Sequence, residues 1–581
     1  MPTSLIDADS LLAIDVGAVT TRTFLYDVVD GRYRFIARGT APTTAGAPYH
    51  DIAEGVHYAL DQLQRVSGRV LADSSDGRLI FPSRSDGSGI DTCAVTLSAG
   101  KPLRVVAVGL LEDISAESAV QLATTIYAEV VDRLSLNDRR KSSAKLDTLL
   151  RARPDLVIVA GGIEGGAVQS VLRLLEPVGL ACYLLPEAQR PEVLYAGNSA
   201  LAEDVKNEIG SLTQLLMAPN LRPSLDVEQL APAQTQLTEV YRNVASRNLP
   251  GVAELDGWTG GKLMPTATAF GRMIRFLSRV GNSTHGVMGV DVGASATTLA
   301  ASFAGDIIMS VYPELGLGRG VTGILADNPL EKITRWLTCD VSTNDVRDYI
   351  YNKAIYPAML PSSKESLEIE QALARQAMQT AVKRLSGHFS RHTNGSGLLP
   401  RFEPIVAAGS IFTHASSLGQ ALLTLLDGLQ PAAVTTIILD QNDLLPSLGA
   451  AAGINSILPI HILESNAILN LATVITAVGN ARLGAPVLRV KITEEGRESS
   501  LEVKYGSIEV IPLPVGKSAR LQLQPLNRFD VGMGGPGRSG GVRVNGSAIG
   551  VVIDARGRPL RLPAETELRR ELLSKWSAAL G

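Results

Sequence analysis

Two short stretches of the chain echo each other. The first is Ile14-Asp15-Val16-Gly17-Ala18-Val19-Thr20-Thr21-Arg22, the second Val290-Asp291-Val292-Gly293-Ala294-Ser295-Ala296-Thr297-Thr298. Each has an apolar run, an Asp, a Gly two residues on, and threonines at the start of a second β-like run (Thr23–Val28, Thr298–Phe303). The pattern reads as a hairpin whose turn carries the Asp. Glycine lets backbone approach a ligand closely, and successive backbone N–H groups in such a turn make an anion pocket. A carboxylate repels phosphate, but it can hold Mg²⁺, a hard cation that bridges carboxylate to phosphate. Asp15 is the candidate for holding Mg²⁺ through water, with Gly17, Thr21 and Arg22 cradling phosphates. Asp291 is the candidate for orienting an attacking water or the metal, with Gly293 and Thr297 at phosphate. Phosphoryl transfer rests mostly on such positioning and charge neutralisation. Arg22 reads equally well as a solvated strand residue, and Thr298 as an ordinary strand threonine. One Asp-x-Gly hairpin is usually a plain tight turn. Two, one opening each half, point to a duplicated domain with a nucleotide between the halves.

Composition narrows the class. At 581 residues the chain is too long for one core. Apolar residues make up 45% and charged residues 19%, which describes a well-buried globular protein rather than a disordered one. A net charge of −4 argues against a general nucleic-acid binder. Cys93, Cys182 and Cys339 lie far apart with no CxxC, so they suggest neither a zinc site nor a disulfide scaffold. Met1–Ser10 is polar and acidic and does not read as a signal peptide. The longest apolar run, Ala467–Val478, falls short of a membrane span. The expectation is a cytoplasmic protein with no membrane span and no nucleic-acid partner.

The elements that must position these residues follow in chain order. Leu11–Asp15, Thr23–Val28 and Arg34–Arg38 read as three successive strands with a turn at Asp30-Gly31. Asp51–Val66 has helix spacing. Leu103–Gly109 reads as a strand, with a helix from Ser115 to about Leu134. Leu156–Ala160 is a strand that ends in Gly161-Gly162-Ile163-Glu164-Gly165-Gly166 before a helix, an α/β unit with a ligand-facing edge. Glu164 is a cleft candidate or a loop residue facing solvent. Pro191–Asn198 and Asn220–Pro223 read as irregular. Met264-Pro265-Thr266 heads a helix to about Arg279. Gly286–Val292, Thr298–Phe303 and Ile307–Tyr312 repeat the three-strand opening. Pro404–Ala408 ends in Gly409-Ser410, and Ser447–Gly453 reads as a helix whose small residues allow close packing.

Two such loops opening two halves resemble the actin, Hsp70 and sugar-kinase superfamily. The resemblance implies an α/β fold of two ribonuclease-H-like lobes binding ATP and Mg²⁺, with a helix at Met264–Arg279 connecting the halves and Gly409 and Ser410 lining the adenosine. Pro191-Glu192-Val193-Leu194-Tyr195-Ala196-Gly197-Asn198, Leu263-Met264-Pro265-Thr266, Val290–Gly293 and Leu315-Gly316-Leu317-Gly318-Arg319 occur in that order. Together they resemble the glutamate mutase L family over roughly residues 10–460, a family unrelated to mismatch-repair MutL. That resemblance implies an ATP-driven reactivase or chaperone accessory to a coenzyme-B12-dependent mutase, with the mutase subunit as partner. The chain also departs from the family pattern. Ala294 replaces a glycine, Thr298 stands where an Asp is expected, Ala407-Ala408-Gly409-Ser410 is poorer in glycine, and Glu164 replaces an Asp. These departures imply a slow Mg-dependent ATPase, or a scaffold that binds nucleotide without turnover. A small-molecule kinase on the same fold is a third reading.

The expected domains are 1–263, a first actin-like lobe with an insertion; 264–460, the second lobe; and 461–581, a linker and β-rich module with a closing helix. Val487–Ile492, Leu501–Val503, Ser507–Ile511 and Ala519–Leu523 alternate like half-buried strands. The module is expected to fold apart from the lobes after a link at Gly479–Pro486, and to offer a surface for a partner or for homo-oligomerisation. Gly516-Lys517-Ser518 lacks the earlier glycine of a P-loop. His388 and His392 share a helical spacing without a third metal ligand.

Overall fold

The structure is a computed structural model that describes residues 9–73, 77–281, 285–389 and 398–581. Most of the Met1–Ser10 reading, and that of His392, fall outside the described residues. Contacts divide the chain into two units. The first comprises 1–269, 309–313 and 446–458, and the second 270–308, 314–445 and 459–581.

The first unit opens with β1 (Leu11–Val16), β2 (Thr20–Val29) and β3 (Arg32–Pro42). Every residue of β1 is buried, as a central strand covered on both faces must be. Asp30 and Gly31 turn β2 into β3 with φ of 52° and 71°, the left-handed pair that suits a two-residue hairpin. Helix Ile52–Ser67 is capped by Asp51, whose carboxylate accepts from Ala53 N, and ends at Gly68 in the left-handed region. The helix lies on β3 at Gly39, where a Cβ would stand 2.0 Å from the Ala59 carbonyl oxygen. β4 (Thr92–Leu97) then adds parallel to β1.

An insertion follows, built on β5 (Leu103–Gly109), β6 (Ala128–Ser135), β7 (Leu156–Ala160), β8 (Glu192–Tyr195) and β9 (Leu215–Met217). These form an all-parallel sheet in the order β6-β5-β7-β8-β9. The helix expected from Ser115 to Leu134 is shorter. A π-helical turn, Glu112–Ala116, runs into helix Glu117–Ala123, and the chain then becomes β6. The Thr125 hydroxyl donates back to the Leu122 carbonyl at the stop. The Val130-Val131 pair that follows suits a strand and finds its ladder on β5. Pro191–Asn198, expected to be irregular, contains β8, four buried residues that pair with both neighbours. β10 (Met264–Pro265) closes the first sheet, whose order is β10-β4-β1-β2-β3.

The second unit repeats the opening. β11 (Gly286–Val292) and β12 (Thr297–Phe303) pair antiparallel, and β13 (Asp306–Tyr312), whose residues from Met309 on count with the first unit, follows a turn at Ala304-Gly305. β14 (Phe402–Ala408) adds parallel to β11, and β15 (Ala433–Leu439) parallel to β14. The succession of an antiparallel pair and then a parallel strand beside the first is the same in both units. Their sheet orders are those of two ribonuclease-H-like lobes, so the molecule has the actin-like α/β fold.

β16 (Leu469–Thr476) continues the second sheet antiparallel to β15. The C-terminal strands are all β: β17 (Pro486–Glu494), β18 (Arg497–Lys504), β19 (Ile508–Ile511), β20 (Ser518–Pro525), β21 (Gly540–Asn545) and β22 (Val551–Asp554). Four of them form a separate sheet, β18-β17-β20-β21. The other two do not stand apart. β22 pairs parallel with β16 and antiparallel with β19, extending the lobe's own sheet. Val434 and Ile475 share one apolar cluster with Val490, Leu521, Phe529 and Val551. Helix Thr566–Leu580 ends against Gly419, where a Cβ would stand 2.2 Å from the Leu580 carbonyl oxygen. Among the described residues no helix is long and apolar enough to cross a membrane.

Candidate functional site

In the first unit, Asp15 sits on β1 opposite Arg22 of β2 and beside Thr96 of β4. It is 5% exposed. Its Oδ1 accepts from Thr96 Oγ1 at 2.7 Å and from Thr266 Oγ1 at 3.0 Å, and its Oδ2 lies 3.7 Å from Arg22 Nη1. Thr266 is the first residue of helix Thr266–Val280, so the Met264-Pro265-Thr266 stretch delivers a hydroxyl to the carboxylate. The turn closes with Gly17 N donating to the Thr20 carbonyl at 3.1 Å, and a Cβ on Gly17 would stand 2.7 Å from that oxygen. Thr21 is fully buried, and its hydroxyl lies 2.8 Å from that of Thr43. Thr43 spends its one proton on the Gly17 carbonyl at 2.8 Å, so Thr21 is the donor of the pair. Thr21 therefore braces the turn from behind.

The second unit builds the same hairpin in the same register. Asp291 stands opposite Thr298 and Val292 opposite Thr297, as Asp15 stands opposite Arg22 and Val16 opposite Thr21. Gly293 N donates to the Ala296 carbonyl at 2.9 Å, matching Gly17. On the parallel neighbour, Ala408 takes the position that Thr96 holds beside Asp15. Thr298 therefore replaces a guanidinium, Ala408 replaces a hydroxyl, and Asp291 is half-buried where Asp15 is buried. Thr297 is fully buried and donates to the Leu315 carbonyl at 2.8 Å. Gly409 has φ of 112°, and a Cβ there would stand 2.3 Å from the Val292 carbonyl oxygen, so the turn after β14 lies backbone-to-backbone on the Asp291 loop. Ser410 is exposed at the start of the short helix Ser410–Thr413.

Three features escape a residue-by-residue reading. Leu315–Arg319, legible only as a family marker, is a clamp on the second loop. Leu317 N donates to the Gly293 carbonyl and Gly318 N to that of Ala294, each at 3.0 Å. Cβ atoms on Gly316 and Gly318 would each come within 2.6 Å of that loop's backbone. Alternating glycines were the available signal. The second feature is Asp440, fully buried at the end of β15, whose oxygens accept from Leu444 N at 2.9 Å and Leu445 N at 2.7 Å. Burial and the neighbouring Asp443 carboxylate push its pKa up to about 7, against the pull of those amides. The third is the pair Thr96 and Thr266, invisible until β4 and the helix start reach Asp15.

Glu164 belongs to a different place, the carboxyl end of the inserted sheet. Its oxygens accept from Ser199 Oγ at 2.5 Å and Asn220 Nδ2 at 2.7 Å. Partial burial raises its pKa, but those hydrogen bonds outweigh it and hold the carboxyl below its ordinary value. Among the described residues no three His, Cys, Asp or Glu side chains cluster as a metal cage.

The family model described as MutL protein matches residues 11–467. Protein MutL of Clostridium tetanomorphum is 21% identical over 353 residues, 56% of this chain and 74% of that one. Among solved structures, a diol dehydratase-reactivating factor in nucleotide-free form is 12% identical, with a TM-score of 0.30, over 77% of this chain and 100% of that one. The ethanolamine utilization protein EutJ of Carboxydothermus hydrogenoformans is 10% identical, with a TM-score of 0.28, over 77% and 91%. The sheet orders, rather than these superpositions, carry the fold assignment. The family match takes in both hairpin loops, the inserted sheet and the Leu315–Arg319 clamp, and this chain belongs to the MutL protein family.

Proposed function

We propose that the chain binds ATP with Mg²⁺ through its two Asp-Gly hairpins and acts as an ATP-dependent reactivase or chaperone for a coenzyme-B12-dependent mutase. The observation that carries the nucleotide reading is the shared register of the hairpins, with a carboxylate at the same strand position in each unit and a glycine two residues on. Bound Mg²⁺ would neutralise charge between phosphate oxygens and carboxylate. Asp15 Oδ1 already accepts two hydroxyl protons, and Oδ2 faces a guanidinium. Such a carboxylate suits an ion reached through water better than one bound directly. Asp291, more open and with Thr298 and Ala408 at the strand positions of Arg22 and Thr96, suits the orientation of water. Gly17 and Gly293 keep the turns narrow enough for backbone to meet phosphate, while Thr21 and Thr297 brace them and Gly409 fixes the neighbouring turn. Arg22 is the one guanidinium of this set, held beside Asp15. The mutase role rests on family membership.

Calorimetric titration of the full chain with Mg-ATP is expected to give binding that falls at least tenfold in Asp15→Ala and in Asp291→Ala, with unchanged circular dichroism. Equal affinity in both variants would remove the site from these loops. Recovery of an inactivated B12 mutase on addition of the chain and ATP tests the second half, and no recovery refutes it. The exchanges of Arg22 for Thr298 and of Thr96 for Ala408 at the matching positions beside Asp291 favour slow turnover, below the roughly 1–100 s⁻¹ of kinases. They also keep the nucleotide-bound scaffold as the second reading.

A further inference from the structure

The inserted sheet has the order β6-β5-β7-β8-β9, in which the chain leaves β5 for one edge and returns to β7 on the other side. Open parallel sheets of this kind bind in the crevice outside the carboxyl ends of their strands, where the winding reverses. A cavity lies there, between β5 and β7, lined by segments 110–118, 160–163 and 220–225. Its backbone walls are tight: a Cβ on Gly109 would stand 2.2 Å from Ala116 N, and Gly162 has φ of 75°. The family motif Pro191–Asn198 contains β8, and its Asn198 Cβ lies 3.1 Å from where a Cβ on Gly162 would stand; the nucleotide reading does not use it.

Size and chemistry restrict the occupant. The cavity holds about 70 Å³, far below the roughly 300–1,000 Å³ of a cofactor pocket, which leaves room for a side chain rather than a whole ligand. The one cation in the lining, Arg222, is committed internally. Its Nε donates to Ser118 Oγ at 2.7 Å, Nη2 to Glu228 Oε1 at 3.1 Å and Nη1 to the Leu225 carbonyl at 3.1 Å. An anionic ligand would have to break that set. The mouth is apolar, with Leu111 44%, Ile163 37% and Leu225 63% exposed. Of the carboxylates on the lining segments and the residues that continue them, Glu117 is paired with Arg133 at 2.6 Å, Glu228 with Arg222 at 3.1 Å and Glu164 with Ser199 and Asn220, while Glu112, Asp113 and Asp226 are exposed beside the mouth residues Leu111 and Leu225. An apolar socket inside an acidic rim complements a basic segment with one protruding apolar residue.

We propose that the crevice at the carboxyl end of the inserted sheet, between β5 and β7, is a docking socket for one aliphatic side chain of a partner protein segment flanked by lysine or arginine. The socket does not depend on the nucleotide loops, and its occupancy is expected with or without Mg-ATP. The test is fluorescence anisotropy of the full chain with a labelled heptapeptide carrying a central leucine between paired lysines. Binding is expected, weakened about tenfold when alanine replaces the leucine, and weakened further when glutamates replace the lysines. Leu225→Asp and Leu111→Asp, both at exposed positions, are each expected to weaken it about tenfold. Glu112→Lys combined with Asp113→Lys is expected to weaken it and to flatten its salt dependence. Absent binding, equal binding of the leucine and alanine peptides, or affinity unchanged in the two leucine variants would overturn the proposal. So would a dimer, seen by sedimentation, that Leu111→Asp dissociates, because the occupant would then be a second copy of the chain.

Discussion

Two aspartates of similar surroundings in the sequence end in different chemistry. Asp15 is clamped by two threonine hydroxyls and an arginine, whereas Asp291 has alanine and threonine at the corresponding strand positions. A third aspartate, Asp440, has no role in the hairpins yet responds to pH in the neutral range. Its folded pKa, about 7, lies above the ordinary value of 3.8, because burial and Asp443 disfavour its charge. A raised carboxyl pKa means that the folded state holds the proton longer than the unfolded one. The stability this contributes is fully present below pH 4 and is lost as pH rises through 7. Urea denaturation of the wild type is therefore expected to show higher stability at pH 6 than at pH 8. In Asp440→Asn that difference shrinks, because Asn does not titrate. An identical pH difference in the variant would remove Asp440 as its source.

At the scale of elements, the Leu315–Arg319 clamp makes a sharp prediction. A Cβ on Gly318 would stand 2.6 Å from the Ala294 carbonyl oxygen and 3.2 Å from Pro357 Cβ. Gly318→Ala is expected to cost about 1–3 kcal/mol, as crowding of a packed site does, and to weaken nucleotide binding by displacing the loop. Unchanged unfolding and unchanged titration would show that the clamp yields freely. The hairpins, the helix over Asp51–Val66 and the Asp30-Gly31 turn were legible because each is written locally, in a dipeptide or a period. β6 and β8 were not, because charged residues (Glu129, Asp132 and Arg133; Glu192) interrupt their apolar pattern and their hydrogen bonds come from neighbours distant in sequence. Thr96 and Thr266 stayed hidden for the same reason, reaching Asp15 from 81 and 251 residues away. Gly449 falls between these cases. Small residues in Ser447–Gly453 announced close packing, and a Cβ there would stand 1.9 Å from the Ala269 carbonyl oxygen.

At the scale of the molecule, the C-terminal segment is wired into the second unit. Arg556 Nη1 donates to Asp427 Oδ1 at 2.7 Å and Nη2 to Asp554 Oδ2 at 2.9 Å, all three side chains wholly buried. Arg375 Nε reaches the other oxygen of Asp427 at 2.8 Å, and Arg556 lies over Trp576, 4.8 Å from its ring centre. The two arginines beside Asp554 hold its carboxyl far below the ordinary range, though burial alone would raise it. Arg556→Met leaves two buried carboxylates short of a cation and is expected to cost about 3–5 kcal/mol in urea denaturation. A chain ended at Gly479 loses β19, β22 and the last helix together. It is expected to lose the cooperative unfolding of the second unit, and a fragment that melts as sharply as the full chain would re-establish the separately folding module. The same wiring bears on the order of synthesis. The first unit is completed by residues 446–458 and the second by a strand and a helix beyond residue 550. Domains of most proteins fold as they emerge, the earliest first. Here neither unit can close its core until late in translation, so the apolar faces of both sheets stay open to chaperones, or to wrong pairing, through most of the chain's birth.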